Sequence, residues 1–191
     1  MNTLVAYASR HGATREIAEW IAGTLRADGR EVTLAAVTEP VDVAGYDAFV
    51  IGSAAYMSHW LEDATTFIRH HRAILMGRPV WLFSSGPIGD APVDAGKRRE
   101  MIESSRPLDF DEFDATLRPR DEAIFFGAMD REAKPIGIIE RLGAPFMRLP
   151  SVRKAMPYGD FRDRPAIEAW AQGIARELRR LEDALPATTP A

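Results

Sequence analysis

Cysteine is absent from all 191 residues, so disulfides, iron–sulfur clusters and thiol catalysis are excluded. A large excess of one charge is also absent, because the net charge of −4 provides neither a broad basic surface for nucleic acid nor a strongly acidic docking face. No apolar run approaches the ~20 residues of a membrane-spanning helix. The first residues lack the basic and long apolar regions of a signal peptide. We therefore expect a cytoplasmic protein that does not bind nucleic acid.

The residues that are present predict a single α/β domain. The chain is 46% hydrophobic, which suffices for one sizeable core. We assign residues 1–185 to this domain and residues 186–191 to a disordered tail. Short apolar runs predict strands at Thr3–Ala8, Glu31–Val37, Tyr46–Ala55, Pro79–Ser85 and Ala123–Met129. Apolar residues at helical spacing predict helices at Thr14–Ala27, Glu62–Leu75 and Pro165–Leu185.

The order of these elements predicts the fold class. Strands and helices alternate, and the strands are continuous apolar runs, which is typical of a parallel sheet covered by helices on both faces. We therefore predict a doubly wound, five-stranded parallel sheet. Ligands of such sheets bind beyond the carboxyl ends of the strands. Three loops are expected to meet there: Ser9–Thr14, Ser53–His59 and Ser84–Asp90.

The first of these loops, SRHGAT, has the composition of a phosphate site. It lies at the N-terminus of a predicted helix, where unpaired N–H groups and the helix dipole favour an anion. Gly12 allows a close approach of the backbone, and Ser9 and Thr14 add hydroxyl donors. The loop lacks the motifs of dinucleotide and nucleoside-triphosphate loops, so it favours a phosphate monoester such as that of FMN, the alternative being a plain helix cap. The candidate ligands are Ser9, Arg10, His11, Gly12, Ala13 and Thr14.

Several segments resemble the flavodoxin family. SRHGAT resembles the flavodoxin phosphate loop, in which Thr or Ser usually stands at the position of His11. FVIGSAAYMSHWLEDATTFI, WLFSSGPIGD and YGDFRDRPAIEAWA resemble segments of the flavodoxin-like menaquinone-dependent protoporphyrinogen IX dehydrogenases, with Arg164 where an aromatic residue is expected. The resemblance covers most of residues 1–185 and implies a flavodoxin-like fold that holds FMN noncovalently.

The resemblance places the second and third loops beside the flavin, the alternative for Ser84–Asp90 being an ordinary turn between a strand and a helix. Tyr56 is predicted to stack on the isoalloxazine ring, the alternative being a tyrosine packed at the sheet edge. His59 either serves the flavin or is a surface or capping residue, and Asp90 either binds the ribityl chain or caps a helix. The flavin carries the redox chemistry, so no catalytic acid or base is predicted. The candidate cofactor ligands here are Ser53, Ala54, Ala55, Tyr56, Met57, Ser84, Ser85, Gly86, Pro87, Gly89 and Asp90.

Residues 131–157 separate the predicted fifth strand from a strand-like run that resumes at Pro157. We interpret them as an insertion that interrupts this strand. They contain six basic and two acidic residues, interleaved with apolar side chains. Three interpretations stay open: packing on the domain itself, peripheral contact with the inner face of a membrane, or binding of an acidic, apolar substrate or a partner.

Three functions are compatible with this sequence. The first is an FMN-dependent oxidoreductase of heme biosynthesis that oxidises protoporphyrinogen IX, or a similar reduced substrate, with a quinone acceptor. The second is a flavodoxin-type electron carrier between redox proteins, and the third is a flavodoxin-fold protein without redox activity that serves in an interaction. A homodimer is compatible with all three. No spacing of histidines and carboxylates predicts a metal site.

Overall fold

The computed structural model describes residues 1–86, 94–129 and 159–184. The strands are β1 (Thr3–Ala8), β2 (Val32–Ala36), β3 (Ala48–Tyr56), β4 (His59–Trp60), β5 (Val80–Ser85), β6 (Asp121–Phe125), β7 (Ala128–Met129) and β8 (Gly159–Asp160). The helices are α1 (Ala13–Ala27), α2 (Glu62–His70), α3 (Arg72–Leu75), α4 (Ala95–Ser104), α5 (Asp109–Leu117) and α6 (Arg164–Asp183). The predicted ligands Pro87, Gly89 and Asp90, the segment 131–157 and the tail 186–191 lie outside the described residues.

Five strands of the main sheet are parallel, in the order β2-β1-β3-β5-β6, and β4 pairs antiparallel with β3. This arrangement confirms the predicted doubly wound α/β fold. The register places Ala6 of β1 between Ala35 of β2 and Ile51 of β3. Every residue of β3 from Ala48 to Ser53 is buried, because helices cover both faces of the sheet. The loops that follow β1, β3 and β5 therefore leave the same edge of the sheet.

Two apolar layers hold the helices against the sheet. On one face, α1 and α6 pack against alternate residues of the strands, and α1 contributes the buried stripe Ile17, Ile21 and Leu25. On the other face, residues of α2, α3 and α5 pack against Phe49 and Ile51. Within the described ranges, no helix has both the length and the apolar composition needed to cross a bilayer.

Several elements differ from the sequence prediction. β6 ends at Phe125, because its neighbour β5 ends at Ser85, the register partner of Phe125. Ala128–Met129 instead pairs antiparallel with β8 in a separate ladder, so the predicted resumption of the fifth strand does not extend β6. The helix predicted at Glu62–Leu75 is divided at His71 into α2 and α3. Helices α4 and α5 and the short strand β4 are additional to the sequence prediction.

Arg106, which precedes α5, joins three carboxylates beside the edge strand β6. Its Nε lies 3.1 Å from Glu122 Oε2, and its Nη1 and Nη2 lie 2.7 and 2.6 Å from carboxylate oxygens of Asp111 and Asp114. Burial and a hydrogen bond with Asp114 raise the pKa of Glu122 to about 7, although Arg106 opposes this shift. The Glu122 carboxyl group is therefore partly protonated at neutral pH.

We expect Glu122→Gln to stabilise the protein by about 1–2 kcal/mol near pH 8 and to have little effect at acidic pH. The native pKa of Glu122, about 7, lies above the ordinary value of 4.5, so this group contributes stability that is complete below pH 4.5 and lost as the pH rises through 7. Glutamine keeps a donor for Asp114 without the charge. Urea unfolding across this pH range measures the difference, with the exposed Glu100→Gln as the control. Equal stabilisation at every pH would contradict the assignment.

Candidate functional site

The loop between β1 and α1 has the backbone of an anion site. Gly12 caps α1 in the left-handed region, at φ +90°, and its N–H donates to Ser9 Oγ at 3.1 Å. A Cβ at this position would meet Arg15 Nη2 at 4.0 Å, an ordinary contact, so backbone conformation rather than crowding requires the glycine. The helix begins at Ala13, and the N–H groups of a first turn have no carbonyl within their own helix. These groups and the helix dipole suit a phosphate.

The first and second predicted loops contact each other through Arg10 and Tyr56. The guanidinium of Arg10 lies over the tyrosine ring, with Cζ 4.9 Å from the ring centroid. Tyr56 is 39% exposed at the end of β3, so part of its side chain faces solvent. Thr14 is buried at the start of α1, whereas His11 is exposed on the outer part of the loop. The structure thus brings together two of the three loops that the sequence predicts to meet.

The second loop is a tight hairpin between β3 and β4. Its two central residues, Met57 and Ser58, both have positive φ, at 50° and 64°. This is the backbone of a type I′ turn, which Asn-Gly usually forms, and other side chains there cost about 1–2 kcal/mol each. Met57 is 94% exposed at the tip of the hairpin. Strained backbone of this kind clusters at ligand-binding sites, so the hairpin is a candidate part of the site.

The start of α5 fixes this hairpin in place. Asp109 accepts a hydrogen bond from the backbone N–H of Trp60 at 2.8 Å, and its carboxylate lies 3.4 Å from His59 Nδ1. The N–H of Leu108 donates to the carbonyl oxygen of Ser58 at 2.9 Å. Trp60 is buried and packs edge-on against Phe110, with ring centroids 5.1 Å apart. The hairpin therefore has a rigid support, and His59 is an exposed neighbour of Asp109.

Two predicted cofactor ligands, Ser53 and Ser84, are buried and use their hydroxyl groups inside the protein. Ser53 Oγ donates to the Ala54 carbonyl oxygen at 2.9 Å and accepts from the Leu61 N–H at 3.1 Å. Ser84 Oγ accepts from Trp60 Nε1 at 3.2 Å. These hydroxyl groups connect the hairpin to β3 and β5. Direct contact between either hydroxyl group and a cofactor stays a prediction.

The remaining candidates of the second and third loops lie at the carboxyl ends of β3 and β5. Ala54 and Ala55 are half-buried at the end of β3, and Ser85 is buried at the end of β5. The N–H of Gly86 donates to the Phe125 carbonyl oxygen at 3.0 Å, which fixes the point where the third loop begins. The described candidates thus lie along one edge of the sheet, as the topology requires.

A cavity of about 250 Å³ opens beside the first loop, on the side of β2. Its walls are the ends of β1 and β2 and the start of α2, which contributes the carboxylates Glu62 and Asp63. Ser9 and Arg10, which belong to the candidate phosphate loop, also line this cavity. The cavity lies away from β5, whereas the three predicted loops follow β1, β3 and β5, so we do not assign it to the cofactor.

The family model of the flavodoxin domain matches residues 4–134, which is more than half of the chain. The chain belongs to the flavodoxin domain family. Membership of this family implies a flavin cofactor and a flavodoxin-type redox function in which the chain acts with redox partners.

One curated protein and two solved structures show what this flavodoxin-domain chain is similar to. Protoporphyrinogen IX dehydrogenase [quinone] of Escherichia coli K12 is 30% identical over 94 residues, which are 48% of this chain and 52% of the relative. The match thus spans about half the length of that curated relative. A mutant flavodoxin from Pseudomonas aeruginosa has a TM-score of 0.56 at 15% identity and covers 94% of this chain and 99% of its own. Rubredoxin oxygen:oxidoreductase from Desulfovibrio gigas has a TM-score of 0.55 at 14% identity, and the match covers 94% of this chain and 36% of that protein. At this low identity, both structures show the fold alone.

Two residues beside the flavodoxin-domain loops were missed by sequence reasoning. Asp109 supports the hairpin from a position 49 residues beyond Trp60. Arg162 contacts the first turn of α1 from a position 149 residues beyond Ala13. No local motif marks either residue, because each acts across the fold. The Phe110, Phe113 and Leu117 spacing does carry the period of a helix and would have located α5.

Proposed function

We propose that this flavodoxin-domain chain binds FMN through the loop Ser9–Thr14 and acts as an FMN-dependent oxidoreductase with a quinone acceptor. Protoporphyrinogen IX, or a similar reduced substrate, is the proposed electron donor. The observation that carries the proposal is the left-handed Gly12 at the N-terminus of α1, with its N–H on Ser9 Oγ. A terminal phosphate monoester suits this backbone, and FMN provides one.

The described residues fit FMN in two respects. The first-turn N–H groups of α1 and the hydroxyl groups of Ser9 and Thr14 would bind the phosphate, with Arg10 adding positive charge at the rim. The partly exposed ring of Tyr56 and the backbone of Ala54–Ala55 would face the flavin ring. When bound, FMN would supply the redox chemistry by accepting electrons from the donor and releasing them to the acceptor. The protein's part is binding, orientation and control of access.

The choice of substrate rests on the partial likeness to the Escherichia coli enzyme, which is named for protoporphyrinogen IX and quinone. Exposed apolar surface at Met57 and Tyr56 lies beside the proposed flavin ring and suits a large, flat, apolar substrate. The predicted contribution of the basic segment 131–157 concerns residues outside the described ranges and stays a prediction. An electron carrier between redox proteins is the alternative function, and a protein of this fold without redox activity is the second alternative.

A titration of the purified protein with FMN, followed by its visible spectrum, tests the proposal first. We expect saturable binding with Kd below about 1 μM and much weaker binding of riboflavin, which lacks the phosphate. The loaded protein is then mixed with protoporphyrinogen IX and menaquinone, and porphyrin fluorescence is followed. Turnover supports the oxidoreductase. Tight FMN binding without turnover, together with electron transfer to a redox protein, supports the carrier, and failure to bind FMN excludes both redox functions.

A further inference from the structure

Arg162, in the loop between β8 and α6, has a side chain that is only 7% exposed. Its Nε lies 2.7 Å from Asp160 Oδ1, and its Nη2 lies 2.7 Å from Asp160 Oδ2. This bidentate pair holds the planar guanidinium in one orientation. Hydrogen bonding to Arg162 keeps the pKa of Asp160 below its ordinary value. The guanidinium also lies over the ring of Trp20, with Cζ 4.8 Å from the ring centroid. These contacts leave the remaining N–H groups aimed at α1.

The same guanidinium reaches the first turn of α1 at two points. Its Nη1 donates to the Ala13 carbonyl oxygen at 3.3 Å, and its Nη2 lies 2.9 Å from Glu16 Oε2. Ala13 is the first residue of α1, directly after Gly12. Glu16 lies one turn into the helix, with its N–H on the Gly12 carbonyl oxygen at 3.0 Å. Arg162 thus contacts the helix turn that directly follows the proposed phosphate loop.

Glu16 presents an electrostatic conflict with the proposed phosphate. A carboxylate in the first turn of a helix interacts favourably with the helix dipole and so competes with a bound anion for the same positive potential. It also repels a phosphate dianion, and the repulsion is stronger near the protein surface than in bulk water. The Glu16 side chain is 44% exposed, so solvent screens only part of this repulsion. The guanidinium of Arg162 held against Glu16 offsets part of this repulsion, and the same guanidinium also pairs with Asp160.

We propose that Arg162 is a positioning residue of the phosphate loop, which pairs with Glu16 and fixes the first turn of α1 so that the loop accepts a phosphate monoester. This inference rests on the proposed binding of FMN at Ser9–Thr14. Lysine cannot replace Arg162 in this role, because a single ammonium group cannot bind both oxygens of Asp160 and still reach Glu16 and the Ala13 carbonyl. The bidentate fork of arginine is what allows the three contacts at once.

A double-mutant cycle on Arg162 and Glu16 tests the inference. We expect Arg162→Gln to weaken FMN binding about tenfold and to leave riboflavin binding unchanged, because only FMN carries the phosphate. Glu16→Gln alone is expected to change FMN affinity by less than about threefold, since Arg162 already pairs with this carboxylate. In the double mutant, FMN affinity should recover part of the Arg162→Gln loss, because Glu16 no longer repels the phosphate, whereas Asp160 lacks its Arg162 partner in both variants. Fluorescence titrations with FMN and with riboflavin measure all of these values.

Arg164→Gln is the matched control. Arg164 also lies over Trp20, at 5.4 Å, but pairs with Glu168 at 2.7 Å, and no contact of it with Ala13 or Glu16 is seen among the described residues. It should leave the ratio of FMN to riboflavin affinity unchanged. Arg162→Lys provides a second variant if Arg162→Gln does not fold, and it should lower the same ratio.

Three results would overturn the inference. An unchanged FMN to riboflavin ratio in the foldable Arg162 variants would show that Arg162 does not act on the phosphate loop. An equal loss of affinity for FMN and for riboflavin would show that Arg162 serves general stability only. A double mutant as weak as Arg162→Gln alone would show that the pairing of Arg162 with Glu16 does not affect the phosphate loop. If the original protein itself binds FMN no better than riboflavin, the proposed phosphate site fails, and this result is distinct from the other three.

Discussion

Replacing Gly52 with alanine is expected to lower the free energy of unfolding by about 3 kcal/mol. Gly52 of β3 lies opposite Phe83 of β5 in the sheet register. The phenyl ring covers the glycine so closely that a Cβ there would lie 2.0 Å from Phe83 Cζ. Phe83 is fully buried, and its ring centroid lies 6.4 Å from that of Phe125 and 6.3 Å from that of Trp170. The ring therefore cannot move aside without disturbing this packing.

Urea unfolding measures the loss, with Gly23→Ala as the matched control. A Cβ at Gly23 would meet no described atom within 4 Å, and alanine favours the helix, so the control should stabilise the protein by about 0.5–1 kcal/mol. Phe83→Leu should recover part of the Gly52→Ala loss in the double mutant, because the two side chains compete for one space. Strictly additive losses would contradict this account of Gly52.

The sheet and its two main helices could be predicted from the sequence, because their signals are local. Continuous apolar runs identify buried parallel strands, and the Ile17, Ile21 and Leu25 spacing identifies α1. The sequence did not predict helix α4, because most of its residues are exposed and polar. It therefore has no apolar stripe. The sequence did not predict the hairpin, because Met57 and Ser58 occupy the turn positions at which a glycine would have indicated it.

The candidate site was predictable to the extent that it is built from contiguous residues. The candidate phosphate loop is one short segment, and its glycine, hydroxyl groups and helix start are all visible in the sequence. The roles of Ser53 and Ser84 were not visible, since their partners, Leu61 and Trp60, are set by the fold. Arg162 was not visible for the same reason. Sequence therefore indicates the candidate ligand loops, and the structure indicates which side chains support them.

Replacing Gly12 with alanine is expected to weaken FMN binding by about 10- to 100-fold and to leave riboflavin binding unchanged. An L-residue at φ +90° is strained by about 1–2 kcal/mol. Relief of this strain turns the residue-12 N–H away from Ser9 Oγ and changes the direction of the first-turn N–H groups. Each hydrogen bond to a charged phosphate is worth about 1.5–3 kcal/mol. Loss of one such bond accounts for the expected effect. Riboflavin has no phosphate and makes no such bond, so its binding should not change.

Gly29→Ala separates this effect from general strain. Gly29 also has a left-handed backbone, at φ +84°, and a Cβ there would meet no described atom within 4 Å. It follows the opposite end of the same helix, so alanine carries a similar backbone cost there without touching the phosphate loop. Both variants should lose similar stability in urea, and only Gly12→Ala should lose FMN affinity in the fluorescence titration. If both variants bind FMN equally well, the helix N-terminus does not hold the phosphate. If Gly12→Ala loses riboflavin as well, the glycine shapes the whole crevice and not the phosphate loop alone.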